Sequence, residues 1–178
     1  MAVLNIHTRR LPVSEAEVGA LIDDLASNRD RLWPRENWPA LRFDRPLGFG
    51  AVGGHGPVRY IVEAYEPGRW IRFRFTAPRG FRGFHEYSVR RAADGATLLS
   101  HVLAMKVRGT ARVSWPLMYR WMHDALLEDS LDCGERALTG AVRTPARWSR
   151  YVVQLRAIGQ RASRRKARPE TVAVAGGA

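Results

Sequence analysis

A single cysteine, Cys133, in 178 residues excludes an intramolecular disulfide and a cysteine-rich zinc site. Such usage suits a reducing compartment, and the expectation is a cytoplasmic protein. Long apolar runs are missing as well: no window approaches the roughly 18 unbroken residues of a membrane span. The opening MAVLNIHTRRLPVSE has no basic region followed by an apolar run, so no export signal is read. Acidic residues are scarce beside basic ones, 17 against 29, for a formal charge of +12. That balance argues for nucleic acid only if it lies on the folded part. From residue 139 onward nine basic residues stand against Glu170 alone, so +8 belongs to the C-terminal stretch and +4 to the first 138 residues. The length suits one domain with a substantial core.

Periodicity organises the rest. Residues 3–11 read as a strand, and Ser14 with Glu17 has capping-box spacing ahead of Val18, Leu21, Ile22 and Leu25 at helical period. The segment NRDRLWPRENWPALRFDRPLG reads as a short helix plus loops over an apolar opening. Period two then takes over, with strands near residues 49–52, 58–65, 70–75, 84–91 and 97–107. Pro67-Gly68 suits the centre of a type II turn and Asp94-Gly95 a hairpin. A long helix over residues 114–138 follows, with Pro116 in its first turn. Strand, helix, meander and long helix bury all these faces most economically as a twisted antiparallel sheet wrapped around the last helix.

The stretch YIVEAYEPGRWIRFRF interleaves arginines with aromatics, as a stacking surface for nucleic acid would. Alternation separates them: Ile71, Phe73 and Phe75 share one face, Arg72 and Arg74 the other. The reading is a half-buried strand, and no specific nucleic-acid site is expected. GFGAVGG matches G-x-G-x-x-G at Gly48, Gly50 and Gly53, but a strand follows it rather than the helix a dinucleotide site needs. Cys133 reads as an inert packed thiol.

The opening strand with LPVSEAEVGALIDDL, the hairpin VEAYEPGRWIRFRF and the closing helix WPLMYRWMHDALLEDSLDCGERAL together resemble the START-related helix-grip superfamily, SRPBCC, which includes polyketide cyclases, Bet v 1-like proteins and lipid-transfer domains. The resemblance covers residues 3–138. It implies an α+β helix-grip fold, a curved antiparallel sheet around a long C-terminal helix enclosing a hydrophobic cavity. It carries over no catalytic residue, and no cofactor is assigned.

Phasing the long helix at about 100° per residue places Asp124, Glu128, Asp132 and Glu135 on one face. That face reads as solvated rather than metal-binding, because no histidine shares it. The opposite face carries Tyr119, Met122, His123, Leu126, Leu127, Ser130, Gly134 and Leu138. Strand alternation adds His101 with Leu99, Leu103, Met105 and Val107, His85 with Tyr87, and Tyr60 with Val62. His101, His123 and Tyr119 are the candidate catalytic residues. Tyr60, Val62, Phe73, Phe75, His85, Tyr87, Leu103, Met105, Met122, Leu126, Leu127 and Ser130 are the candidate ligand-binding set. Buried polar groups need partners, so the histidines and tyrosines bond either to the core or to a ligand. Histidine titrates near neutrality, which suits acid–base work. A metal would require His85, His101 and His123 to meet at one point; no metal is assigned.

These readings give a domain over residues 1–140 that binds a hydrophobic, polyketide-like or lipid-like small molecule, as a cyclase or dehydratase or as a carrier. Trp33, Trp38 and the segment 48–56 are expected at its mouth. Residues 141–178 read as a basic extension. Over residues 147–162, Trp148, Tyr151, Val152, Leu155 and Ile158 share one helical side, opposite Arg150, Arg161 and Arg164. Such a helix docks on the domain or a second copy, or makes the chain a surface-association protein on anionic membrane or nucleic acid, and the chain past Ser163 is expected to be disordered.

Overall fold

The computed structural model describes the backbone of residues 1–167 and the side chains of residues 1–161. The chain divides into a unit over Met1–Arg147 and a second beginning at Trp148. In the first, β1 (Ala2–Leu11) and α1 (Glu15–Asp23) precede β2 (Arg42–Phe43), β3 (Val52–His55), β4 (Val58–Glu66), β5 (Trp70–Ala77), β6 (Phe81–Arg91) and β7 (Thr97–Val107). The seven strands form one antiparallel sheet ordered β1-β7-β6-β5-β4-β3-β2, with β1 at one edge. A helical run over residues 111–139 closes the unit: α2 (Ala111–Ser114), a π-helical turn (Trp115–Tyr119) and α3 (Arg120–Thr139). Pro116 supplies no N–H to the ladder, and the turn around it widens so that the Arg120 N–H reaches the Trp115 carbonyl. Gly140, at φ 78°, ends α3 in the left-handed conformation that glycine adopts without strain.

Local chemistry accounts for the joints. Ser14 and Glu17 form the expected reciprocal cap of α1. At the other end of α1, the Asp23 carboxylate accepts from the Gly68 N–H and from the Tyr65 hydroxyl, both at 2.8 Å, and so pins α1 to the β4–β5 turn. That approach is close enough that a Cβ on Gly19 would overlap the Gly68 backbone. The short helix expected after α1 does not form. Asp30 instead accepts from the N–H groups of Ala26, Leu32 and Trp33, and Pro34 and Pro39 interrupt the helical ladder. Trp33 and Trp38, expected at a mouth, are buried; their indole N–H groups donate to the Pro39 carbonyl and to Asp129. On β5, Ile71, Phe73 and Phe75 are buried, while Arg72 pairs with Glu86 and Arg74 with Glu63 on the other face.

The expected solvated stripe of α3 is overturned in its C-terminal half, where Asp132 is 7% exposed and Glu135 2%, while Asp124 and Glu128 are half-buried. The inward face of β1 is polar and lies along it. Asn5 donates to Asp124 at 2.9 Å, His7 meets Glu128 at 2.6 Å, and Arg9 reaches Glu128 and Asp132 at 3.3 and 2.7 Å and also Glu135. The match follows from pitch. Two strand residues advance about 6.7 Å and four helical residues about 6 Å, so the two ladders stay in step.

In the second unit α4 (Arg150–Ala167) starts at Ser149, whose hydroxyl accepts from the Val152 N–H at 3.3 Å, and Arg156 lies over the Trp148 ring at 4.0 Å. The helix runs past Ser163 to Ala167, and the rest of the expected disordered segment lies outside the described residues. Among the described residues no helix is long and apolar enough to cross a membrane.

Replacing Arg9 by Met keeps most of the side-chain volume but strands two buried carboxylates. The expected cost is about 3–5 kcal/mol in urea denaturation, the range for breaking a buried pair from one side. Adding Asp132→Asn and Glu135→Gln should recover much of that loss; no recovery would show that the seam is held by packing alone.

Candidate functional site

All five histidines of the chain, His7, His55, His85, His101 and His123, fall on one connected path of rings. Strand register sets up its centre. His101 on β7 stands between His7 on β1 and Tyr87 on β6, and His85 on β6 pairs with Phe73 on β5. His85 Nδ1 and His101 Nε2 are 3.1 Å apart, one donating to the other. The His101 and His123 ring centroids are 5.3 Å apart, and those of His123 and His7 5.9 Å. In the other direction Tyr60 packs edge-on against His85 at 4.7 Å, and His55 lies between Tyr60 and Trp33. His55 also lines a surface groove of about 360 Å³, with Arg42, Phe43, Arg59 and the glycines of β3.

Most of the expected set is brought together. Tyr60, Val62, Phe73, Phe75, Tyr87, His101, Leu103, Met105, Leu126, Leu127 and Ser130 are buried between sheet and α3, with His85 and His123 among them. Met122 and Tyr119 are only half-buried, at the N-terminal end of the helix. Tyr119 packs edge-on against Phe81, which also meets Phe75 and Trp115. Tyr87 and Ser130 are satisfied internally: Ser130 donates to the Leu32 carbonyl and so accepts the Tyr87 proton, both at 2.9 Å.

The histidines differ. Among the described residues, His85 Nε2, His101 Nδ1 and both ring nitrogens of His123 are buried without a hydrogen-bond partner. Burial, with the charge that would develop on neighbouring histidines, holds His85 and His101 well below the usual imidazole range. Burial also depresses His123, outweighing its pairing with Asp124, and takes His55 down to about 3. His7 goes the other way. Burial would lower it, but hydrogen bonds and charge pairing with Asp124 and Glu128 raise it to about 9. The interior histidines are therefore neutral at pH 7 and the edge histidine is an imidazolium.

His7 escaped the sequence reading, and Asp124 and Glu128 entered it only as a solvated face, because strand and helix were phased separately. The signal that could have found them is the complementarity of Asn5, His7 and Arg9, spaced by two, with carboxylates spaced by three and four.

No family model matches the chain, and no curated protein matches it in sequence. Solved structures do match in shape. CalU16 from Micromonospora echinospora is 16% identical, over 90% of this chain and 86% of that one, with a TM-score of 0.53 for the crystal structure. Norcoclaurine synthase from Thalictrum flavum is 12% identical, over 77% and 86%, with a TM-score of 0.59. XoxI from Bacillus cereus is 14% identical, over 76% and 95%, at 0.53. The chain has the helix-grip fold, as its element order led us to expect.

Stability should peak near pH 6.5. As pH rises from about 6.5 through about 9, the folded state keeps the His7 proton that the unfolded chain has released, so stability falls. As pH drops below 6.5, the unfolded chain protonates histidines that the fold keeps neutral, so stability falls again. In His7→Gln the alkaline limb, worth about 1–2 kcal/mol after solvent screening, should vanish from urea midpoints measured across pH. An unchanged limb would show that His7 is not the group responsible.

Proposed function

We propose that the chain binds a hydrophobic or aromatic small molecule, polyketide-like or lipid-like, between the sheet and α3, and acts on it by acid–base chemistry of the cyclase or dehydratase kind. The observation that carries this reading is the set of unpaired imidazole nitrogens in an otherwise apolar, aromatic interior. Each costs about 1–3 kcal/mol when left unsatisfied. A ligand with carbonyl or hydroxyl oxygens would offset that cost. Neutral imidazoles there can take a proton from carbon or oxygen, and His85 and His101, already in contact, can relay it.

The roles follow from the surroundings. His101, 2% exposed, and the interior-facing nitrogen of His123 are the proton-exchanging groups. Tyr87, whose proton is committed to Ser130, orients rather than donates. Tyr119 at the helix entrance is the phenol placed to hold a carbonyl oxygen. Phe75, Phe81, Trp115 and Tyr119 are in ring contact at this end, so entry requires them to part, and the widened π-turn beneath them is where the helix can yield. One structure of similar shape, a norcoclaurine synthase point mutant, was solved in complex with a transition state analogue, which agrees with a fold able to host such chemistry.

Native mass spectrometry of the purified protein should show a retained apolar ligand, and an uncharged naphthalene dye should bind and quench tryptophan emission. Leu103→Trp, which fills the interior, should weaken the dye at least tenfold; unchanged affinity would place binding elsewhere. With the retained ligand or its precursor as substrate, His101→Phe should cost about 10²–10⁴-fold in turnover. Binding with no turnover by the unaltered protein would establish a carrier instead.

A further inference from the structure

We propose that His7, His123 and Asp124 form a binding site for one divalent transition-metal ion of the zinc class, set in the seam between β1 and α3, where His123 also borders the apolar interior. The ligand atoms of the three residues lie within 4.8 Å of one another. His7 Nε2 is 3.4 Å from Asp124 Oδ1, and His123 Nδ1 is 3.5 Å from the same oxygen. A tetrahedral ion with bonds of about 2.0–2.1 Å needs donor atoms about 3.3–3.4 Å apart. The two edges already have nearly that length.

The surroundings add two independent features of a metal site. His7 Nδ1 is 2.6 Å from Glu128 Oε1, so the carboxylate fixes the ring with Nε2 toward the site, and Arg9 at 3.3 Å holds Glu128 in turn. A histidine whose second nitrogen is bonded to a carboxylate is the usual outer-shell arrangement for metal ligands. His123, for its part, has a buried Nδ1 whose approach to Asp124 Oδ1, at 3.5 Å, falls short of hydrogen-bond geometry, and burial favours the neutral ring that ligation requires. Asp124 is oriented by the Asn5 amide at 2.9 Å, with Arg120 at 3.8 Å on its other oxygen. Two imidazoles and one carboxylate are a borderline donor set that suits Zn²⁺ or Co²⁺ over Mg²⁺ or Ca²⁺, which prefer oxygen. Three protein ligands leave the fourth tetrahedral corner to water or a small anion.

Without metal the same position is served by the His7 proton, which bridges to Asp124. Metal and proton therefore compete, and loading releases about one proton. The groups facing His7 are Asp124, Glu128 and His123 on α3 and His101 across the strand pair, with Arg9 and Arg120 beyond them.

The test is a Co²⁺ titration of full-length, chelator-stripped protein, read by visible absorption. The expected result is one equivalent giving the strong d–d bands of a four-coordinate ion, displaced by Zn²⁺, with proton release seen by calorimetry in buffers of different ionisation enthalpy. His7→Gln and Asp124→Asn should each abolish the bands or weaken binding at least tenfold, and Glu128→Gln should weaken it about 10-fold. Asp124→Asn keeps an acceptor for Asn5, and circular dichroism and thermal melting verify that each variant is folded. Absence of the bands in the unaltered protein, or equal binding by folded Asp124→Asn, overturns the proposal. The titration needs no apolar ligand, so its failure leaves the interior binding reading intact, and the converse holds.

Discussion

The polar seam between β1 and α3 is the constraint on which the rest of the molecule depends. A helix that grips a sheet usually buries an apolar stripe; here α3 also turns a second, charged stripe toward the edge strand. Leu126, Leu127, Ser130 and Leu131 face the interior, and Asp124, Glu128, Asp132 and Glu135 face the edge strand. Desolvating carboxylates costs several kcal/mol each unless charge and hydrogen bonds answer them. Arg9, planar and multidentate, answers three carboxylates at once, which a lysine could not do with the same geometry. Arg143 adds a second partner to Glu135. Because the pairing is directional, it fixes the rotation of α3 about its own axis and its register along β1. An apolar contact would tolerate sliding; these ion pairs do not.

That rotation decides what the interior contains. His123 sits at the boundary between the two stripes, one nitrogen toward Asp124 and the ring against His101. Turning α3 by one residue, about 100°, would carry it away from both. The fixed helix therefore completes the histidine path started by the strand register of β6 and β7. The same fixation places Ser130 to bridge Tyr87 and the Leu32 carbonyl, tying α3 to the sheet and to the loop after α1.

Much of this was legible in the sequence, for a physical reason. Strand alternation and helical period are local, and they located Tyr60, Phe73, Tyr87, His101 and Leu103 correctly because each lies where apolar neighbours at i±2 mark a dry face. The capping box and the Pro67-Gly68 turn were legible because their chemistry is contained in four residues. The β1–α3 seam was not. Amphipathic reasoning assumes that the more polar face is the wet one, and β1 reverses it. Its inward side carries Asn5, His7 and Arg9, while Leu4 and Ile6 point outward, 68% and 58% exposed. A buried stripe of charge looks like a solvated one until its partner, more than a hundred residues away, is set beside it. The helix expected after α1 failed for a related reason: Asp30 competes for the backbone N–H groups that a helix would have used.

The two histidine populations form one electrostatic system. His7 is an imidazolium whose ring centroid is 5.9 Å from that of His123. At an effective dielectric constant near 20, two unit charges at that distance repel by about 3 kcal/mol. Protonating His123 while His7 is charged is therefore opposed both by burial and by its neighbour, with Asp124 offsetting part of the repulsion. His101 experiences the same field one ring further in. Discharging His7 removes that repulsion and makes the interior histidines more basic, without moving an atom of the interior. Burial sets most of the depressed basicity of His101 and His123, and the charge at the sheet edge adds to it. In this fold the seam that holds the helix also adds to the electrostatic bias on the histidines beside it.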